Sequence, residues 1–299
     1  MHWVLSLIGS DARPAVTPAV VDSAASALSA GDATVVEIRW LARGIAAEIV
    51  FVGERPSAGS AAQRATRYAA VDCVVQPAAG RRKHLLVADL ESTIIAQECL
   101  EELAAYVGKR VEIAAITNRA MRGEIDFEGA LRERVAMLGG LAETTLQEVY
   151  DHRVSLNPGA ATLVATMRRH GATVALVSGG FTFFTERIRR ALGCDYDQGN
   201  RLEIAAGRLT GSVAEPILGR AAKREALARL SAERGLAAAD TMAVGDGAND
   251  LEMLRAAGLG VAYHAKPAVA EAAAARIDHG DLTALLYLQG YRQDEFVAA

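Results

Sequence analysis

The stretch Leu85-Leu86-Val87-Ala88-Asp89-Leu90-Glu91-Ser92-Thr93 decides how the rest of the chain reads. Four apolar residues run without a break into two carboxylates spaced i, i+2, and then into two small hydroxyl residues. A short, continuous apolar run is the pattern of a strand buried on both faces of a parallel sheet. Ligands of open α/β sheets gather beyond the carboxyl ends of such strands. Asp89 is therefore expected at a strand tip, inside a site. A carboxylate placed there can attack phosphorus and split one difficult hydrolysis into two easier steps.

Further strands of the same kind follow downstream. Residues 172–177 form a second apolar run that ends in Ser178-Gly179-Gly180, and residues 241–244 a third that ends in Gly245-Asp246-Gly247. Residues 259–263 form a fourth. Helical patterns over 158–171 and 223–234 separate them, and residues 199–213 read as a hairpin turning at Gly207-Arg208. Strands alternating with helices imply an α/β fold with a doubly wound, mostly parallel sheet. Between the first two strands, residues 97–157 carry helix formers broken at Gly108, Gly123 and Gly139-Gly140. That block is too long for a simple crossover and reads as an inserted helical cap.

Upstream, residues 1–80 read as a small separate α+β unit. Strands are expected at 3–8, 34–41, 46–52 and 71–75, with helices at 18–30 and 60–69. The βαββαβ order is that of a ferredoxin-like sandwich. Residues 77–83 read as a linker, and its basic run Arg81-Arg82-Lys83 as solvated. The expected domains are thus 1–80 and 81–299, the second carrying the cap.

Composition narrows the function. The chain has 299 residues, 51% of them hydrophobic, and a formal charge of -4, which argues against a nucleic-acid or membrane-surface binder. Cys73, Cys99 and Cys194 are far apart and form no CxxC, as expected of reduced thiols in the cytoplasm. The histidines are scattered without HxxxH spacing, so no zinc site is expected. Residues 1–10 lack the basic and apolar regions of a signal peptide. No run approaches the roughly 18–20 apolar residues of a membrane span. A soluble, cytoplasmic protein acting on a small molecule is expected.

The three strand ends supply matching chemistry. Asp89 and Asp246 offer the hard oxygens that suit Mg²⁺. The glycines after Ser178 let main-chain N–H groups approach an anion, and Lys223 can neutralise a phosphate oxygen. Glu91 could protonate a leaving alkoxide and then deprotonate water. Each piece alone has a plainer reading: a helix cap, a tight turn, a calcium loop, a solvated lysine. Their joint occurrence, in order and each at a strand end or on the intervening helix, favours catalysis.

At these residues the chain resembles the haloacid dehalogenase-like phosphatases, and among them the phosphoserine phosphatases. The DxDST…ECIDELA pattern is met by Asp89-Leu90-Glu91-Ser92-Thr93 and by Glu98-Cys99-Leu100-Glu101-Glu102-Leu103-Ala104. LRxRV is present as Leu131-Arg132-Glu133-Arg134-Val135, VSGGF as Val177-Ser178-Gly179-Gly180-Phe181, and GDGAND as Gly245-Asp246-Gly247-Ala248-Asn249-Asp250. The likeness covers about residues 84–288. It implies Mg²⁺-dependent hydrolysis of O-phospho-L-serine through an aspartyl phosphate on Asp89. The metal would be held by Asp89, Asp246 and the main-chain carbonyl of Glu91. Ser178, Gly179, Lys223 and Asn249 would hold the phosphate, Glu98 the ammonium and Arg134 the carboxylate, with Met121 and Phe127 as an apolar lid. By the same analogy residues 1–80 would be an ACT-like regulatory domain, or equally a purely structural or dimerising unit, and a homodimer through them is the expectation.

The chain departs from the pattern at one catalytic position: Glu91 stands where the family has aspartate. Two further readings follow from that change. One is a phosphatase or phosphotransferase acting on another small phosphomonoester; the other is a weakly active amino-acid-binding sensor.

Overall fold

The computed structural model describes residues 2–53, 60, 63–67, 69–121 and 124–298, without the side chains of Asn118 and Met121. Three strand-end motifs fix its central feature. β5 (Leu85–Ala88), β6 (Thr173–Phe181) and β10 (Thr241–Gly245) lie side by side at the middle of a six-stranded sheet. Its order is β12-β11-β10-β5-β6-β7, and all its pairings are parallel. The register pairs Leu86 with Met242 on one side and Val174 on the other, so Ala88, Val244 and Leu176 stand level and the three motifs follow from there. Every residue of β5, β10 and β11 (Leu259–Tyr263) is buried, as an unbroken apolar run requires. The expected doubly wound α/β fold is therefore what the chain adopts.

Two strands of this sheet escape the sequence reading. β7 (Tyr196–Asn200) lacks an aliphatic run and is part-buried up to Asn200, which alone is fully buried, as an edge strand can be. β12 (Ala275–Ile277) is three residues long. The hairpin itself is β8 (Leu202–Ala205) with β9 (Arg208–Val213), set apart as its own antiparallel pair. β6 runs further than expected, through Ser178 and both glycines to Phe181.

The cap is four helices: α2 (Cys99–Tyr106), α3 (Arg110–Met121), α4 (Phe127–Ala136) and α5 (Thr144–Arg153). Its two connections run antiparallel to each other. Ala96 N–H donates to Ser155 O, Asn157 N–H to Ile94 O, and the Asn157 amide bridges Thr93 O and Ile95 O. The stem of the cap is thus tied to the loop that follows β5. After the cap, α6 (Ala160–Arg169) leads into β6, α7 (Thr182–Leu192) into β7, and α8 (Arg220–Glu233) into β10.

At the N-terminus, β1 (His2–Ile8), α1 (Pro18–Ala30), β2 (Thr34–Ala42), β3 (Ala46–Val52) and β4 (Asp72–Pro77) form an antiparallel sheet of order β2-β3-β1-β4. Thr17 caps α1 by accepting from Val20 N–H, and Pro18 opens it. Of the helix expected over 60–69, residues 63–66 are helical; 61, 62 and 68 lie outside the described residues. One face of this sheet packs Leu5, Leu7, Ile49 and Phe51 against Val21 and Leu28 of α1. The other face is covered at β1, β3 and β4, though not along most of the edge strand β2. Ile8, Ala46 and Val74 join the same core as Leu282, Leu286 and Tyr287 at the chain's C-terminal end.

The reading of Arg81-Arg82-Lys83 as solvated needs correction at Arg81 and Lys83, and all three cations have partners. Arg81 pairs with Glu48, a buried carboxylate on β3. Arg82 binds Glu295 at 2.7 Å and lies 3.4 Å over the Tyr291 ring. Lys83 is 8% exposed and donates to the carbonyls of Gly80 and Ala239. Acceptors draw Arg81 and Lys83 out of water, whereas Arg82 stays exposed beside a part-exposed Glu295. No helix among the described residues is long and apolar enough to cross a membrane.

Candidate active site

The three central strands deliver their terminal residues to one place. Asp89 leaves β5 in an extended conformation, and its Oδ1 accepts the Leu90 N–H at 2.8 Å. The chain then makes one loose turn over Leu90–Ile94, in which Ser92 adopts a φ of 54°. From α8, Lys223 reaches across and donates to Asp89 Oδ1 at 2.7 Å and to Asp250 Oδ1 at 2.6 Å. The side chains of Lys223, Asp89 and Asp250 are 3%, 7% and 0% exposed, so this pairing lies almost wholly out of water.

Asp250 is braced a second time, its Oδ2 accepting the Gly247 N–H at 3.0 Å. A Cβ on Gly245 would overlap the Asp250 carboxylate, and one on Gly247 would overlap Asn249 Oδ1. The glycines of Gly245-Asp246-Gly247 are thus set by the side chains folded over them. Carboxylate oxygens of Asp89, Asp246 and Asp250 all lie within 4.8 Å of one another.

Three carboxylates against one ammonium leave this cluster strongly negative. Burial pushes Asp89 well above the usual carboxylate range, and the charge of Asp250 adds to it, while Lys223 pulls the other way. Asp246 is raised to about 6, first by burial and then by Asp250 and Glu98, against Lys266 and Lys223. Such a group of hard oxygens fits a divalent cation that keeps several waters, as Mg²⁺ does. Asp89 and Asp246 are the carboxylates free to hold it, since both oxygens of Asp250 are already taken by Lys223 and Gly247.

Glu91 turns away from that cluster. Its Oε1 accepts the main-chain N–H of Cys99 at 2.8 Å, and its Oε2 lies 2.6 Å from where a Cβ on Gly180 would stand. Burial, then the charge of Glu98, raises Glu91 to about 7; the Cys99 N–H opposes the shift. A carboxyl poised near neutrality can both give and take a proton. Next to it, Ser178 is 2% exposed, and its Oγ accepts the Gly180 N–H at 2.9 Å. The tip of β6 is fixed from behind by Asn200, whose amide donates to Gly179 O and accepts from Leu218 N–H, both at 2.8 Å.

The cap closes over this floor. The Phe127 ring, at the start of α4, reaches 3.1 Å from where a Cβ on Gly179 would stand. Arg134 on the same helix donates to Ala130 O at 3.0 Å and Thr117 Oγ1 at 3.3 Å. It faces Glu91, Glu98 and Glu101; burial lowers its pKa against the pull of their charges. Glu98 is exposed, and its Oε1 accepts from Ser92 Oγ at 2.7 Å. The Met121 side chain lies outside the described residues.

The structure therefore brings together Asp89, Glu91, Ser178, Gly179, Lys223, Asp246 and Asn249 from the strand ends and α8, with Phe127, Arg134 and Glu98 from the cap side. Sequence reasoning missed Asn200, Cys99 as a main-chain donor and Thr93, whose Oγ1 stands 3.5 Å from Asp246 Oδ1. Thr93 lies inside the opening stretch. Asn200 sits in an unremarkable polar run and carries no signal.

Residues 86–255 match the haloacid dehalogenase-like hydrolase family. A phosphoserine phosphatase of Streptomyces coelicolor is 48% identical over 219 residues, which are 73% of this chain and 53% of that protein. The chain thus spans about half the length of that relative. A phosphoserine phosphatase of Albidiferax ferrireducens is 48% identical over 209 residues, 68% of this chain and 88% of that one. The crystal structure of a probable phosphoserine phosphatase from Vibrio cholerae, in unliganded form, matches with a TM-score of 0.78 at 32% identity. It covers 98% of this chain and 88% of that chain.

Proposed function

Because the chain belongs to the haloacid dehalogenase-like hydrolase family, we propose that it hydrolyses O-phospho-L-serine to L-serine and phosphate. The observation that carries this reading is the division of labour between two carboxylates. Asp89 is held by Lys223 and the Leu90 N–H at the strand tip, while Glu91, two residues on, faces Gly180 and the cap. Phosphoserine phosphatases among the relatives at 48% identity support the substrate.

In the first step an Asp89 oxygen attacks phosphorus in line. The bond from phosphorus to the serine oxygen breaks, and that oxygen takes the proton of Glu91. In the second step Glu91, now a carboxylate, removes a proton from water. The resulting hydroxide attacks the aspartyl phosphate and releases phosphate and Asp89. Asp89, Asp246 and the Glu91 carbonyl would hold Mg²⁺, which when bound would supply charge that offsets the phosphate dianion. Lys223 and the Ser178 hydroxyl neutralise and orient the phosphate oxygens, with Gly179 and Asn249 completing the cradle. Arg134 offers its planar fork to the substrate carboxylate and Glu98 its charge to the ammonium. Phe127 excludes water from above.

Phosphate release from L-phosphoserine, with Mg²⁺ and with EDTA, beside a panel of other phosphomonoesters, tests the assignment. Metal-dependent preference for phosphoserine is expected; equal turnover across the panel, or none, refutes it. The N-terminal sheet also supports a homodimer. β2 is an edge strand that exposes Val36 and Ile38, and light scattering at twice the monomer mass is the expected result.

A further inference from the structure

The first helix of the cap begins without a side-chain cap of its own. Glu98 occupies the N-cap position of α2 and makes no capping hydrogen bond. The first N–H groups of a helix have no intrahelical acceptor and attract negative charge. Here the acceptor comes from another element: Glu91 Oε1 takes the Cys99 N–H at 2.8 Å. The other oxygen of Glu91 rests on Gly180, where any Cβ would collide with it. The carboxylate is thereby gripped between the cap and the tip of β6. The extra methylene that distinguishes Glu91 from an aspartate spans this gap; a side chain shorter by one carbon would end about 1.5 Å back.

We propose that Cys99 is a positioning residue, whose main-chain N–H holds the Glu91 carboxyl over the leaving oxygen and so makes proton transfer depend on the seating of the cap helix. The inference rests on the reaction proposed above. It explains how a longer acid serves a site of this kind: the added length is taken up by a contact with the cap. It also assigns the N-terminus of α2 a part in the chemistry through its main-chain N–H, beside the contact that the Cys99 thiol makes with Glu91.

Cys99→Pro tests this, with Cys99→Ala as its reference. Both variants remove the thiol, but the proline alone removes the N–H. Proline is well suited to the first position of a helix, and Glu98 already has the extended conformation, φ -93° and ψ 103°, that a following proline requires. The readout is the rapid-quench rate of the first step, followed as serine released from phosphoserine and as 4-nitrophenolate released from 4-nitrophenyl phosphate. The nitrophenolate departs without a proton. A misplacement of about 1 Å costs roughly 10²-fold, so Cys99→Pro should release serine about 10²-fold more slowly than Cys99→Ala, with KM alike. The two variants should release nitrophenolate at equal rates.

Glu91→Asp, which leaves α2 intact, should show the same split between substrates. Adding Cys99→Pro to it should slow serine release no further. Equal serine release by Cys99→Pro and Cys99→Ala, or an equal loss on both substrates, overturns the positioning role. Failure of the unmodified chain to release serine while it still releases nitrophenolate refutes the proposed substrate instead. The comparison of Cys99→Pro with Cys99→Ala would then rest on other alkyl phosphates, and equal release from them overturns the positioning role.

Discussion

Replacing Lys223 with methionine should destabilise the protein by an amount that depends steeply on pH. Lys223 is the one cation that donates to both Asp89 and Asp250, at 2.7 and 2.6 Å, and all three groups are buried. Methionine keeps most of the side-chain volume and removes the charge. The two carboxylates then either stay ionised without a partner, or one of them takes up a proton. Breaking a buried pair by removing one partner costs about 3–5 kcal/mol. Protonation sets a ceiling on that cost. Relative to an ordinary aspartate at 3.8, keeping one carboxyl neutral costs about 1.4 kcal/mol per pH unit, hence ~4.4 kcal/mol at about pH 7 and ~1.6 kcal/mol at about pH 5. The sign follows from proton counting. Lys223 lowers an Asp89 pKa that burial already holds above the usual range, so without it the folded variant keeps a proton to higher pH than the folded parent, and it loses stability relative to the parent as pH rises above the parent's Asp89 pKa. Urea unfolding of both proteins without divalent metal, at several pH values, measures the difference directly. A penalty that is the same at about pH 5 and about pH 7 would refute the reasoning, because the carboxylates would then have found another partner.

Three further outcomes are expected. Asp89→Asn should abolish phosphate release while leaving the fold at least as stable, since it removes a buried charge and keeps an acceptor for the Leu90 N–H; phosphate release from that variant would exclude Asp89 as nucleophile. Mg²⁺ must displace a proton from Asp246, which titrates at about 6 in the metal-free protein. Its apparent affinity by calorimetry should therefore fall as pH drops through that value, by at least about tenfold per unit, because the raised Asp89 must also lose its proton. Asp72→Ala should cost about 3 kcal/mol in urea, because the N–H groups of Asp278, His279 and Gly280 all donate to this one buried carboxylate; a loss below 1 kcal/mol would mean that water replaces it.

What could be read in advance divides along a physical line. The parallel core was legible because β5 and β10 are buried on both faces, which forces unbroken apolar runs. β7 was not, because an edge strand is half in water and can be Tyr-Asp-Gln-Gly-Asn. The residues of the candidate site were legible where several fall within one short segment at a strand end, as in 89–93, 178–180 and 245–250. Roles that depend on distant partners left no local trace. Nothing around Glu48 announces that Arg81 will pair with it. Nothing in Cys99-Leu100-Glu101 announces that the first N–H is aimed at Glu91.

The sheet at the N-terminus has a practical consequence that follows from having both of its faces covered at β1, β3 and β4. It is roofed by α1 on one side and floored by Leu282, Leu286 and Tyr287 on the other, with Asp72 and Gln76 stitched to the backbone at 278–280 and Leu288. A chain trimmed at residue 80 would bare that floor to water and leave the amides of 278–280 without their acceptor. The part that remains, residues 81–299, is therefore poor material for recombinant truncation: it should express as aggregate, and a protease digest of the whole chain should spare the 77–83 connection that its composition marks as a cutting site.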